Sequence, residues 1–316
     1  MITPLYKKCT LHKHYMSENS GMEVLPTNNV LYNANPINIS FTPYKISTIT
    51  CNTNIVDISN SINCKIDLEL LFKNIDISDN DDIQSFVWVQ YFHNKIKYTR
   101  GIYPQKKRRS TSMSKNKKRK FDNQVSFIFK MADGYYPNMK VFQNGNIQMT
   151  GARSIDDTTP VIKKMIEEIN KTRNILLINE VCDKNFIVRM INTDFTLYKN
   201  NERCSIKRRK LHSLLIKNDQ VIAWFDPCKY HGVKVDYWWY KGDPENNGRY
   251  KHNVAPPIKG VNGDVKRVAI LLFESGKIII TGAISMEQLD EVYSFICKFI
   301  HDNADDVISK IKTCSS

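Results

Sequence analysis

Along several stretches of this chain apolar and polar residues alternate, and elsewhere apolar residues recur every three or four positions. Lys45 to Cys51 (KISTITC), Phe186 to Leu197 (FIVRMINTDFTL) and Val233 to Trp239 carry strand patterns, as does the apolar run Val125 to Lys130 (VSFIFK). Asp67 to Ile75 and Lys207 to Ile216 read as short helices. Leu289, Val292, Tyr293, Ile296, Phe299 and Ile300 form one helical stripe, with Ser285 as cap and Gln288 three residues on. Ile162, Met165, Ile166 and Ile169 form another, with Ser154 as cap and Asp156 and Asp157 in the first turn. The order strand–helix–strands–helix occurs twice without βαβ alternation. That order predicts an α+β fold, an antiparallel sheet with helices on one face.

The chain also repeats itself. VFQNGNIQMTGARS (141–154) and LFESGKIIITGAIS (272–285) share Phe, Gly, Ile, Thr-Gly-Ala and Ser at matching offsets. Two units follow, 39–175 and 176–303, and the irregular stretches fall around and within them. Residues 1–38 read as a loose arm, about 80–120 and 241–264 as insertions, and 304–316 as a tail, either a short extra helix or a frayed end. Within the first insertion, Lys106 to Lys120 carries nine Lys or Arg and no acid, so it must stay solvated.

Composition sharpens this picture. The chain has 316 residues, 41% of them hydrophobic, enough for one sizeable core and at most two. Its formal charge of +14 calls for an acidic partner, unless it serves solubility alone. No apolar run is long enough to cross a bilayer and no signal peptide is evident, which puts nucleic acid ahead of membrane. The eight cysteines lack a Cys-x-x-Cys pair and are expected as thiols. Cys9 with His12 and His14, and Cys228 with His231, lack the second half that a structural zinc site needs. No phosphate-cradling Gly loop, carboxylate pair or Ser-His-Asp set stands out, so neither an enzyme nor a cofactor is expected.

The duplicated stretch carries a resemblance. LLFESGKIIITGA (271–283) resembles the second-repeat signature of the TATA-binding-protein family, and KVFQNGNIQMTGA (140–152) a first-repeat version. Ile46-Ser47-Thr48-Ile49 resembles the family's first strand, Cys64-Lys65-Ile66-Asp67-Leu68 its first short helix, and Phe225 to Gly232 (FDPCKYHG) its second stirrup. The likeness covers roughly 41–170 and 184–303, and the Asn, Ile and Lys bias resembles versions from large cytoplasmic DNA viruses.

The resemblance implies two tandem repeats forming a saddle, a curved antiparallel sheet with helices on the convex face and DNA in the concave one. In that family, aromatic wedges pry open base steps from the minor groove. Here the wedges would be Phe121 with Phe142 and Tyr230 with Phe273. The concave face would carry Gln148, Thr150, Asn185, Ile187, Ile279 and Thr281, with Ile278 and Ile280 pointing to the helices. Tyr44 stands where the family has a first-repeat Asn, and Cys228 and Lys229 replace an acid and a Leu that meet a transcription factor.

Lys115, Lys117, Lys118, Arg119 and Lys120 are phosphate-contact candidates, with a nuclear import signal or a plain solvated loop as alternatives. The partners implied are A·T-rich promoter DNA, transcription initiation factors and RNA polymerase, with one monomer on the duplex and no membrane. A viral version would work in the host cytoplasm or virion, with the nucleus as alternative. Two rivals stand beside this reading. One is an interaction protein of the transcription machinery with weak or no sequence-specific DNA binding. The other is a nucleic-acid-processing enzyme borrowing the fold, for which 1–40 and 304–316 leave too little room.

Overall fold

The computed structural model describes residues 38–54, 66–78, 84–94, 96–104, 123–171, 187–218, 220–248 and 265–310. In chain order its elements are β1 (Ile39–Phe41), β2 (Lys45–Asn54), α1 (Leu68–Asn74), β3 (Ser85–His93), β4 (Ile96–Gly101), β5 (Gln124–Lys130), β6 (Asn138–Phe142) and β7 (Asn146–Ala152). There follow α2 (Thr158–Lys171), β8 (Ile187–Lys199), β9 (Glu202–Ile206), α3 (Arg208–Lys217), β10 (Ile222–Trp224) and β11 (Val233–Tyr240). After a 3-10 turn at Pro244–Asn246 come β12 (Val265–Leu272), β13 (Lys277–Ala283), α4 (Met286–Asp302), α5 (Ala304–Val307) and β14 (Ile308–Lys310).

The strands form one open antiparallel sheet in the order β10-β11-β12-β13-β8-β2-β7-β6-β5-β3-β4, with β1, β9 and β14 joined to it through β8. The strands β2 and β8 pair at its centre. Outward from them lie β7, β6 and β5 on one side and β13, β12 and β11 on the other. Together with the helices this is the layout of the expected saddle fold.

The two-residue period decides which face is covered. Ile147, Met149, Phe195, Leu197, Ile278 and Ile280 are buried, and they share one core with Leu71 of α1, Met165 of α2, Leu211 of α3 and Ile296 of α4. Their neighbours Gln148, Thr150, Thr196, Ile279 and Thr281 are only half-buried, on the face opposite the helices.

Helix boundaries follow their caps. Ser285 Oγ accepts from the Gln288 amide at 3.3 Å, as the capping pattern predicts, while Gln288 Oε1 accepts from the Ile284 amide at 2.9 Å, one residue before the N-cap amide that a capping box uses. Ser154 and Asp157 also exchange hydrogen bonds, yet they close a turn and α2 begins only at Thr158. The reason is Pro160, which lacks an amide hydrogen and is tolerated only in the first helical turn.

Two segments carry more structure than their composition suggests. Residues 85–101, inside the stretch expected as an insertion, pair as β3 and β4 and add the outermost strand of that edge. Arg100 fixes this hairpin to α1 by donating to the carbonyls of Phe72, Lys73 and Ile75 at 2.6, 2.7 and 3.2 Å. Beyond residue 303 the chain makes the short helix α5, then pairs β14 with β9. The arm 1–37, residues 105–122, the loop 249–264 and the end 311–316 lie outside the described residues.

Candidate nucleic-acid interface

Each copy of the duplicated motif carries a Phe where a strand gives way to the turn, Phe142 as the last residue of β6 and Phe273 just past β12. Phe142 O accepts from the Gly145 amide at 3.0 Å, and Phe273 O accepts from the Gly276 amide at 3.1 Å. Both glycines have left-handed φ, 79° and 77°, which the tight reversal requires. By the alternation of their strands, Phe142 follows Lys140 and Phe273 follows Leu271 onto the uncovered face, and both are half-buried.

Tyr230 and Phe273 meet edge to face, ring centroids 5.9 Å apart at 62°. Tyr230 is 42% exposed, so this aromatic pair stands at the rim and does not fill the core. Behind it, Arg208 donates to the His231 carbonyl and pairs with Glu274, locking the turn to α3. Phe121, the expected partner of Phe142, lies outside the described residues, as do Asn185, Lys115, Lys117, Lys118, Arg119 and Lys120.

Gln148, Thr150, Ile187, Ile279 and Thr281 all stand half-buried on the uncovered face. The centre of that face holds Asn192, which is not among the residues expected there. Its Nδ2 donates to Thr48 Oγ1 at 2.8 Å, and its Oδ1 accepts from Thr281. The signal was present: Asn192 and Asp194 take the outward places in the alternation of INTDFTL. Tyr44, placed by the resemblance at a base-reading position, packs instead toward the helices, against Tyr293 of α4.

Charge on this face is mixed. Lys140 and Lys234 lie on it, and the Lys234 ammonium sits 4.9 Å from the Trp224 ring centroid at the outer edge. Asp194 pairs with Lys277 at 3.0 Å. Asp236, 2% exposed, is held by Lys234 at 3.4 Å and Arg267 at 3.2 Å. At one end of β12, burial and then the charges of Arg189 and Arg267 hold the Lys266 ammonium below its ordinary pKa.

Among the described residues, Cys51, Cys204, Cys228 and Cys297 are free thiols, and burial pushes Cys51 up to about 12 and Cys204 up to about 11. No group of three or more His, Cys, Asp or Glu is placed to hold a metal among those residues. None of their helices is long and apolar enough to cross a membrane.

Comparison with known proteins points to one family. Residues 259–303 match the family described as "Transcription factor TFIID (or TATA-binding protein, TBP)". Over 280 residues the chain is 30% identical to a "TATA-box-binding protein-like" protein of Acanthamoeba polyphaga mimivirus. That match covers 81% of this chain and 64% of the relative. Among solved structures, Methanococcus jannaschii TBP aligns over 82% of this chain and 98% of its own, with a TM-score of 0.46 and 16% identity.

Proposed function

We propose that this chain, similar to a viral TATA-box-binding protein-like protein, is a diverged member of that family whose sheet face opposite the helices binds A·T-rich promoter duplex in the minor groove and bends it. The observation that carries this reading is the Tyr230–Phe273 pair, half out of the core at the end of the sheet face opposite the helices. Such a pair pushed between base steps costs a few kcal/mol of unstacking per step, offset by the contact a bent duplex offers. Ile279 and Leu271 beside it suit the edge of A·T pairs, which presents only acceptors in that groove.

Phe142 with Phe121 would form the second wedge. Gln148, Thr150, Asn185, Ile187, Ile279 and Thr281 would line the groove between the wedges. The run containing Lys115, Lys117, Lys118, Arg119 and Lys120 would follow the phosphates beyond the bend, adding affinity without sequence information. The bent duplex, carried by a single copy of the chain, would seat initiation factors and an RNA polymerase. If the chain is viral like that relative, it would act in the host cytoplasm or virion, with the nucleus as the alternative. One observation favours a second reading, an interaction protein with weak DNA binding: Tyr230 carries a hydroxyl where a wedge is best purely apolar.

An A·T-rich duplex labelled at both ends separates the two. Energy transfer should report bending by the native chain, and Phe142→Ala and Phe273→Ala should each abolish it while the thermal melt stays cooperative. Unchanged bending in both variants rejects the wedges. No binding of the native chain to A·T-rich or G·C-rich duplex leaves the interaction protein.

A further inference from the structure

The strand registers line up one row of outward side chains in each half of the sheet. In the first half the row runs Asn52, Gln148, Lys140, Ser126, Gln90 across β2, β7, β6, β5 and β3. In the second it runs Asp194, Ile279, Leu271, Lys234, Trp224 across β8, β13, β12, β11 and β10. Gln148 and Ile279 hold the same place in the duplicated motif, and Asn52 and Asp194 are their respective partners on the central strands. The two rows have opposite chemistry. One offers two amides, the other an apolar Ile–Leu pair beside a carboxylate already engaged by Lys277.

The minor-groove edge of A·T displays acceptors alone, whereas G·C adds the guanine amino donor. Against Ile279 and Leu271 that donor would be buried without an acceptor. Against Gln148 it meets a half-exposed amide that can present its oxygen, and Asn52, half-exposed with its Oδ1 enclosed and unpartnered, does the same once its amide turns outward. An amide also donates, so the same row serves A·T acceptors by turning its nitrogen outward.

We infer that the two halves of the face read different base composition, the Asn52–Gln148 half accepting G·C and the Ile279–Leu271 half demanding A·T. This rests on the minor-groove reading above. Its consequence is directional binding, because a site with G·C pairs in one half only fits the chain one way round.

The test uses the full chain and three duplexes of equal length: all A·T, G·C in one half, and G·C in both halves. The measured quantity is the ratio of each Kd to that of the all-A·T duplex. The native chain should show a ratio near one for the half-substituted duplex and roughly tenfold or more for the doubly substituted one. Asn52→Val with Gln148→Ile should raise the half-substituted ratio by roughly tenfold or more. Ile279→Gln, an independent variant, should lower the doubly substituted ratio. Native and variant chains sharing the same ratios would overturn the inference and leave minor-groove binding standing. Absence of binding to the all-A·T duplex would overturn both.

Discussion

Tyr44 donates a 2.6 Å hydrogen bond to Asp290, joining the entry to β2 with α4, the long helix that follows β13. The Tyr44 ring packs edge-on against Tyr293, 5.4 Å between centroids, and Tyr293 in turn packs edge-on against Phe195 of β8 at 4.8 Å. Tyr293 also donates to the Thr42 carbonyl at 3.0 Å. The seam between the halves is therefore held by side chains from both, in addition to the β2–β8 ladder.

Tyr44→Phe keeps the ring and removes the bond. It should lower the unfolding free energy by about 1–2 kcal/mol, less than the roughly 1.5–3 kcal/mol of a bond to a charged group because solvent reaches this one. Urea denaturation checks this, with a shifted midpoint at constant slope as the expected result. An unshifted midpoint would show that packing alone holds the joint.

Arg100 gives a second prediction. Its guanidinium is shared among three carbonyls at the C-terminal end of α1, where helix carbonyls lack partners of their own. Arg100→Ala should destabilise the chain by about 1.5–3 kcal/mol. Hydrogen exchange should speed up across β4 and leave β11 to β13 unchanged. Uniform acceleration across the sheet would contradict a local anchoring role.

Glu168 predicts a pH dependence. Its side chain is 2% exposed and accepts from Lys171 at 2.7 Å and from the Asp76 amide at 3.2 Å, with the Lys164 ammonium 3.6 Å away. Burial pushes the carboxyl up, but these donors and charges outweigh it and hold the group below its ordinary value. A depressed folded pKa contributes stability that is complete above the unfolded value, roughly 4.3, and lost as pH falls through the folded one. The melting-temperature gap between the native chain and Glu168→Gln should be constant above about pH 5.5 and narrow progressively as pH falls below the unfolded value, roughly 4.3. A gap independent of pH across that window would count against the charge.

Gly276 makes the tightest approach in the rim turn. A Cβ there would meet the Cys204 carbonyl oxygen at 2.6 Å, and the residue already sits at φ 77°. Gly276→Ala should cost more than about 1 kcal/mol and displace Phe273. Reduced bending with intact far-UV dichroism would register the displacement, whereas native stability would show that the turn yields freely.

The basic run belongs to a salt experiment. Neutralising Lys115, Lys117, Lys118, Arg119 and Lys120 together should flatten the dependence of log K on log salt by about 0.9 for each phosphate that the chain no longer neutralises. An identical slope would leave that run as a solvated loop or an address signal.

Local rules written along the chain determined much of this protein. Alternation in KISTITC and IIITG set which side chains face the helices, because successive residues of a strand must point to opposite sides. The Ser285–Gln288 pattern marked a helix start, since a capping box needs only residues three apart. The duplicated motif announced the two rim turns for the same reason. Other features depended on contacts between residues far apart in sequence. Only the packed structure could turn Tyr44 toward α4, recruit residues 85–101 into the sheet beneath Arg100, and set Asn192 between Thr48 and Thr281. Those outcomes rest on strand register and on partners more than 20 residues away along the chain, with the Asn192–Thr48 pair 144 apart. No local period encodes such pairings, and tertiary burial selects among them.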